Sequence, residues 1–369
     1  MRIRKFDLKF DEDQIEEFKA ICEDILTAPR PISNGHYVTE FEKGFAKITG
    51  SEYATAVTNG TGALEVALRA LELEGKTIII PTNTFISTAL TVENIGAAIH
   101  PVDIENETFS LDPRRLEEAL DQSDVGAVIL VHIGGQISKN VDEIIRICRE
   151  YEVPLIEDAS QAHCAEYKFK AGSFGEVGTF SFMSTKAMTT AEGGMIVTDN
   201  EKLDSRIKQI RSYGAPPEDP QIHTIIGGNY KMTEFQAGLG LLELKRVERR
   251  IRKRRTLSEE YIKRLRGNPA YIPAEHYGHA SYYKQIIQFT GDVIELKRYS
   301  KQQGIDMTGE VYYNPIHSQP IYRSRFTGLD FPVADYYCKH HICPPNYPEL
   351  SLEQVRYVCD VLNEFTEKT

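Results

Sequence analysis

Short apolar runs recur through the first two hundred residues, and segments whose apolar positions have helical spacing separate several of them. The runs are apolar throughout and do not alternate with polar residues, which is typical of strands covered by helices on both faces. We predict strands at residues 53–58, 77–81, 98–102, 126–131, 153–157, 178–182 and 195–198, with helices at 63–73, 86–95, 113–120 and 141–151. This alternation predicts an α/β fold with a mainly parallel sheet between helices.

The last third of the chain has a different pattern. A helical stretch is predicted over residues 233–266, followed by a strand at 282–289, a helix before Gly304, two proline-rich loops and a final helix from Ser351. We therefore expect a large α/β domain of residues 1–250, which includes the N-terminal segment, and a smaller α+β domain of residues 251–369.

Composition narrows the class of protein. The 369 residues are 41% hydrophobic and 26% charged, as in globular proteins, and the net charge of -11 argues against binding to nucleic acid or an anionic membrane. The basic run 245–255 is interleaved with glutamates, which favours a solvated helix face over a site for a small anion or an acidic partner.

Cysteine spacing and hydropathy bear on location. The six cysteines include no CxxC pair, so we expect neither a disulfide framework nor a metal site. No run reaches about 18 apolar residues, the length of a membrane-spanning helix, and the N-terminus lacks the apolar segment of a signal peptide. We expect a soluble cytoplasmic protein.

Three motifs could carry chemistry, although each has an ordinary structural explanation. Residues 58–63, TNGTGA, place glycines between a strand and a helix, where free N–H groups can bind phosphate. Asp158 follows an apolar strand and could hold a cationic ring nitrogen, or could simply cap a helix. Lys186 lies in a Ser/Thr-rich loop, where it could react with a carbonyl group or merely face solvent.

The order of the three motifs is more informative than any one of them. A phosphate-binding turn, a strand-end carboxylate and a loop lysine match the phosphate, the ring nitrogen and the aldehyde of pyridoxal 5'-phosphate. A nicotinamide-dependent oxidoreductase is disfavoured, because the turn lacks the GxGxxG pattern of dinucleotide-binding folds.

Nearly the whole chain resembles the DegT/DnrJ/EryC1/StrS family of nucleotide-sugar aminotransferases. The resemblance rests on the segments NGT at 59–61, PTNTF at 81–85, EDASQAH at 157–163, SF at 181–182 with Lys186, EGG at 192–194 and GNYKMTE at 228–234. It implies a fold-type-I enzyme that is dependent on pyridoxal 5'-phosphate, with the pyridoxamine form as an intermediate.

The resemblance also implies roles for individual residues. Lys186 would form the Schiff base and shuttle protons, and Asp158 would pair with the ring nitrogen. Phe85 would stack on the ring, and Gln161 would lie near its phenolic oxygen. The phosphate would be bound by Gly60, Thr61 and Ser181 and by Asn229 of a neighbouring subunit, which implies a homodimer with shared active sites.

Some positions depart from the family pattern. Gly134 stands where many members have tyrosine, Met183 where histidine or tyrosine is frequent, and Cys164 where glycine is usual. Most departures fall on the expected substrate side, so they leave the identity of the sugar open. Lys186 disfavours the family's 3-dehydratases, which have histidine at that position.

The resemblance implies transfer of an amino group from an amino acid, with L-glutamate as the expected donor, to a nucleotide-linked keto sugar. Residues 189–194 favour C4 of a 4-keto-6-deoxy sugar; alternatives are a C3 sugar or a cyclitol aminotransferase, or a non-catalytic regulatory protein of the same fold. Four further residues are candidate substrate contacts with an alternative structural role: His163, Tyr313, His317 and Gln319.

Overall fold

The computed structural model describes residues 2–122 and 124–368. The helices in this part of the chain are α1 (Glu12–Thr27), α2 (His36–Thr49), α3 (Gly60–Ala70), α4 (Ile86–Asn94), α5 (Pro113–Gln122), α6 (Val141–Glu150), α7 (Glu201–Arg211), α8 (Glu234–Leu244), α9 (Val247–Leu265), α10 (Val293–Gln302), α11 (Pro332–Tyr337) and α12 (Leu352–Lys368).

The strands form a large sheet and two small ones. They are β1 (Tyr53–Val57), β2 (Thr77–Pro81), β3 (Ala98–Val102), β4 (Val125–Val131), β5 (Leu155–Asp158), β6 (Glu166–Tyr167), β7 (Phe169–Lys170), β8 (Val177–Ser181), β9 (Gly194–Thr198), β10 (Tyr271–Pro273), β11 (Ile287–Phe289) and β12 (His341–Ile342). The large sheet has the order β1-β9-β8-β5-β4-β2-β3. Among the described strands of this sheet, β9 runs antiparallel to both of its neighbours, β1 and β8, and the other neighbouring strands pair in parallel. The predicted α/β fold with a mainly parallel sheet is therefore confirmed.

Each predicted strand of the large sheet forms, with small shifts at its ends, but two later elements differ from the prediction. The long helix predicted over 233–266 is two helices, because the backbone leaves helical geometry at Arg246 (φ -126°). The strand predicted over 282–289 is only Ile287–Phe289. Lys284 in its first part, and Ser281 just before it, instead donate backbone hydrogen bonds to the loop after β4, and Tyr282 has a left-handed φ of 49°.

Apolar side chains cover both faces of the large sheet. Alternate residues of β2 and β4 point into different clusters: Ile79 and Val128 lie in one, and Ile78 and Ile129 lie in the other. A third cluster surrounds the small sheet β10-β11-β12 and includes residues of α9, α10, α12 and the N-terminal segment.

Helix α9 contributes to two of these clusters. Its first turns pack with the large sheet through Val247 and Ile251, whereas Leu257 and Tyr261 pack in the third cluster. The expected domain boundary between residues 250 and 251 falls inside this helix. The division into two domains stays a prediction.

The basic run at the start of α9 is only partly a solvated face. Arg252 is exposed and pairs with Glu248, as expected. Arg250 is largely buried against Glu243, and Arg254 is 3% exposed. The prediction is therefore wrong for Arg250 and Arg254, whose charges the fold has taken out of water.

The carboxylate of Glu157 lies fully buried inside β5. It accepts hydrogen bonds from the backbone N–H groups of Gly172 (2.7 Å), Phe174 (2.5 Å) and Gly175 (3.0 Å), and its Oε2 lies 2.7 Å from Nε2 of His132. An ionised group so far from water needs several donors to offset its lost hydration. Glu157 therefore fixes the loop before β8 against β5.

We expect Glu157→Gln to lower the free energy of unfolding by about 2–4 kcal/mol, because the amide places N–H groups against backbone donors and removes the charge that they stabilise. Urea unfolding of the two proteins measures the difference. Glu176→Gln is the matched control, since Glu176 is exposed two residues before Gly178. Equal stability of the Glu157 variant and the wild type would contradict this account.

Candidate active site

The carboxyl ends of the parallel strands meet at one edge of the large sheet, where a cavity of about 500 Å³ opens. Asp158 is the last residue of β5 and Ser181 the last residue of β8. Ligands of open α/β sheets bind at this edge, because side chains from several strand ends and helix starts converge there. The cavity is lined by Asn59, Gly60, Thr61, Leu64, Phe85, Ser87, Asp158, Ser160, Gln161, Ser181, Met183, Lys186, Glu192, Tyr283 and Tyr312.

The start of α3 forms one wall of the cavity. Asn59 caps this helix by accepting a hydrogen bond from the N–H of Gly62 (2.8 Å). The N–H groups of Gly60 and Thr61 have no acceptor within residues 2–122 and 124–368. A Cβ at Gly60 would lie 2.6 Å from Cβ of Ser181, so glycine lets the helix start approach β8. The two free N–H groups, the hydroxyl of Ser181 and the helix dipole form a cradle suited to phosphate.

Asp158 and Gln161 lie on the floor of the cavity, and neighbouring groups orient both. The carboxylate of Asp158 accepts from the N–H of Ser160 (3.1 Å) and from Oγ1 of Thr88 (3.4 Å). Gln161 accepts from the N–H of Gly134 (2.8 Å) and donates to the hydroxyl of Tyr312 (2.6 Å). A carboxylate held in this way can bind a protonated ring nitrogen.

Lys186 reaches the cavity from the loop between β8 and β9. Its backbone N–H donates to the carbonyl of Met183 (2.8 Å), which closes a tight turn. Its Nζ lies 4.8 Å from the ring centroid of Tyr283. Burial by itself would raise the pKa of Tyr283, but Lys186, Lys284 and a hydrogen bond with Thr185 lower it overall.

Phe85 offers an unusually exposed aromatic ring to the cavity. Its side chain is 53% exposed and lies 5.9 Å, centroid to centroid, from Tyr312. An apolar ring this exposed inside a cavity is suited to cover the face of a planar ligand. Phosphate cradle, carboxylate, ring face and lysine thus fit the groups of pyridoxal 5'-phosphate, each on residues of this chain.

Comparison with known proteins agrees with this geometry. Residues 12–363 match the model of the DegT/DnrJ/EryC1/StrS aminotransferase family. The chain belongs to this family. The enzyme is therefore an aminotransferase dependent on pyridoxal 5'-phosphate. The order of the motifs predicted the cofactor, and the family resemblance implied the aminotransferase.

Two relatives and one solved structure show how far the similarity extends. The enzyme is 32% identical to GDP-perosamine synthase of Escherichia coli O157:H7, over 90% of this chain and 91% of that one. It is 30% identical to UDP-4-amino-4,6-dideoxy-N-acetyl-beta-L-altrosamine transaminase of Campylobacter jejuni, over 97% and 96%. The structure of NtdA from Bacillus subtilis with bound cofactor PMP has a TM-score of 0.89 and 26% identity, over 97% of this chain and 83% of that one.

Several candidate residues of the aminotransferase do not line the cavity. His163 is 1% exposed and packs against Phe45, Phe180 and Phe182; burial, then Lys186 and Arg254, lower its pKa to about 3. His163 therefore lies in the core with a neutral ring, and its role as a substrate contact stays a prediction.

The candidates from the C-terminal part are likewise held by structural contacts. His317 lies 2.6 Å from Thr82 and 3.1 Å from Asp335, and Gln319 donates to a backbone carbonyl. The ring of Tyr313 lies near Lys297 instead of the cavity. Its neighbour Tyr312 lines the cavity, with a left-handed φ of 62°. Tyr312 and Tyr283 are not predicted as site residues from the sequence, because no local pattern distinguishes them from other tyrosines.

Asn229 lies outside the cavity and is exposed. Its backbone bridges to Ser212 at the end of α7. An exposed amide in this place is free to meet another molecule, which is what the expected role toward a neighbouring subunit requires.

The departures from the family pattern have different structural settings. Gly134 has φ of 65°, and a Cβ there would lie 2.8 Å from Ile286, so the backbone itself favours glycine. Cys164 has φ of 56°, a left-handed conformation that explains why glycine is usual at this position. Met183 lines the cavity and is the departure placed to contact a substrate.

The described helices include none that is both long and apolar enough to cross a membrane. The described residues also contain no group of three or more His, Cys, Asp or Glu side chains arranged to hold a metal ion.

We expect Gly60→Ala to weaken binding of pyridoxal 5'-phosphate by about tenfold or more, because the methyl group separates the start of α3 from Ser181. Titration of cofactor-free protein with pyridoxal 5'-phosphate, followed by absorbance, measures the dissociation constant. Gly267→Ala is the control, since a Cβ there meets nothing within 4 Å. An unchanged dissociation constant for Gly60→Ala would show that the start of α3 does not bind the cofactor.

Proposed function

We propose that this aminotransferase moves an amino group from L-glutamate to C4 of a nucleotide-linked 4-keto-6-deoxy sugar. The observation that carries the proposal is the convergence of Lys186, Asp158 and the free amide groups of α3 in one cavity. The position on the sugar is supported by the similarity to an enzyme named for a 4-amino-4,6-dideoxy sugar.

Within this proposal the residues of the cavity hold the cofactor at both ends. Gly60, Thr61 and Ser181 bind its phosphate, and Asp158 keeps its ring nitrogen protonated. Phe85 covers the face of the ring, and Gln161 contacts the phenolic oxygen. When bound, pyridoxal 5'-phosphate supplies an aldehyde that takes up amines and a ring that accepts electrons.

Lys186 moves the protons. Its Nζ would hold the cofactor, and the same amine would remove the proton from the α-carbon of the donor. In the second half of the reaction Lys186 delivers a proton to the sugar carbon that carried the ketone.

The proposal includes a homodimer in the cytoplasm with active sites shared between subunits. The exposed Asn229 supports it, together with the exposed apolar side chains of Ile222 and Ile226 in the preceding segment, which are 55% and 86% exposed. Apolar side chains so exposed are typical of surfaces that another chain covers. Asn229 would then contact the cofactor phosphate of the partner subunit.

We expect Lys186→Ala to reduce transamination by about 1,000-fold or more, because the described residues that line the cavity offer no other amine to accept the proton. The substrates are L-glutamate with 4-keto and 3-keto nucleotide sugars, and the readout is the aminated sugar by mass spectrometry. The spectrum of the bound cofactor should also change to that of the free aldehyde. Lys202→Ala, on the exposed face of α7, is the control.

Two outcomes would contradict this proposal. Unchanged transamination by Lys186→Ala would exclude the lysine from the reaction. Amination of only the 3-keto sugar would move the reaction to C3 and leave the rest of the proposal in place.

The proposal that active sites are shared between subunits leads to a second prediction. Lys186→Ala and Asn229→Asp should each be inactive, because the second variant places a carboxylate against the phosphate of the partner subunit. After the two are mixed and the subunits exchange, one of the two sites in each heterodimer has neither substitution, so about a quarter of wild-type activity should return. No recovery in a mixture that mass spectrometry shows to contain heterodimers would contradict shared sites.

A further inference from the structure

A second cavity, of about 240 Å³, adjoins the cofactor cavity. Gln161, Tyr283 and Tyr312 line both cavities, so these three side chains lie between them. Thr185, next to Lys186, also lines the second cavity, and its hydroxyl lies 3.0 Å from that of Tyr283. The two cavities therefore share a wall of three side chains, and a ligand in the cofactor cavity lies next to the second cavity.

The second cavity is positively charged. Lys5, Arg254 and Lys284 line it, and none of the three forms a salt bridge with another described residue. Its one acidic lining residue, Glu310, pairs with Lys297. The cavity thus attracts an anion that its own side chains do not supply.

Arg254 is the most unusual of these cations, because it is only 3% exposed. Its Nη1 donates to the backbone carbonyl of Asn346, but its buried Nε has no acceptor among the described residues. Burial lowers the pKa of Arg254 to about 10. A buried charge with neither a counter-ion nor a full set of hydrogen bonds destabilises the folded protein. In a binding site, a ligand can supply the missing partner.

We propose that the second cavity binds the side-chain carboxylate of the amino donor through Arg254, while the donor's α-amino group faces Lys186. This inference rests on the proposed function and specifies its donor as a dicarboxylic amino acid. A guanidinium matches a carboxylate with two parallel hydrogen bonds. Lys284 also lines this cavity and adds a second positive charge.

The size of the second cavity indicates that its ligand is a carboxylate and not the diphosphate of the sugar substrate. Pockets that enclose a whole drug-sized ligand have volumes of about 300–1,000 Å³, and the second cavity is smaller than this range. It can take the end of a five-carbon donor but not a nucleoside diphosphate. The keto sugar therefore stays in the larger cavity, which the donor leaves after the first half of the reaction.

The first experiment measures binding without chemistry. Glutarate, a dicarboxylate with no amine, is titrated into the cofactor-loaded enzyme by calorimetry. We expect Arg254→Gln to raise its dissociation constant about 10- to 100-fold and Arg254→Lys to restore part of the affinity. Arg252→Gln, an exposed arginine on the same helix, should bind like the wild type. Equal glutarate binding by Arg254→Gln and the wild type would overturn the proposal.

The second experiment measures the choice of donor. L-Glutamate and L-glutamine have the same shape but differ in side-chain charge, and conversion of the cofactor by each is followed by absorbance in single turnovers. The wild type should prefer glutamate, and Arg254→Gln should lose most of that preference. Equal loss with both donors would assign Arg254 a structural role and overturn the proposal.

Failure of the proposed function and failure of this inference give different results. A wild type that converts its cofactor with neither donor contradicts the proposed function itself. A wild type that reacts without preferring glutamate contradicts only the proposed role of the second cavity. If Arg254→Gln does not fold, Lys284→Gln tests the same cavity, because Lys284 lines it and is only half-buried. Its preference for glutamate should fall, and an unchanged preference overturns the proposal.

Discussion

The buried carboxylate of Glu157 is the constraint on which the cavity depends. Successive residues of a strand point to opposite faces, so once Glu157 is fixed in the interior by three backbone donors and His132, Asp158 must point the other way. The same donors hold the loop that leads into β8. One buried charge therefore sets both the direction of Asp158 and the position of the strand that ends in Ser181.

The second constraint is the close approach of α3 to β8. Gly60 leaves too little space beside Ser181 for a side chain, and Asn59 uses one first-turn N–H for its cap while leaving two free. The groups that can bind phosphate are thus the N–H groups at the start of α3 that have no hydrogen-bond acceptor. The same principle operates at Arg254, where the fold buries a cation and leaves part of its hydrogen-bonding capacity unused.

The departures from the family pattern differ in what they can alter. Gly134 and Cys164 both have left-handed backbone conformations, at φ of 65° and 56°. Glycine adopts this conformation at little cost, whereas a cysteine there carries strain. Met183 has no such constraint and lies against the cavity, so a change at this position can alter the shape offered to a substrate without changing the backbone.

The sequence by itself determined the strands of the large sheet, the family, and the residues Lys186, Asp158, Gly60, Phe85, Gln161 and Ser181 that the cavity brings together. Apolar runs and strand-end motifs are local, so they can be recognised without knowing what packs against them. Tyr283, Tyr312, the burial of His163 and the unpaired Arg254 were decided only by the tertiary structure. Each depends on contacts between segments far apart in the chain, and no local spacing encodes whether a tyrosine lines a cavity or whether an arginine finds a counter-ion.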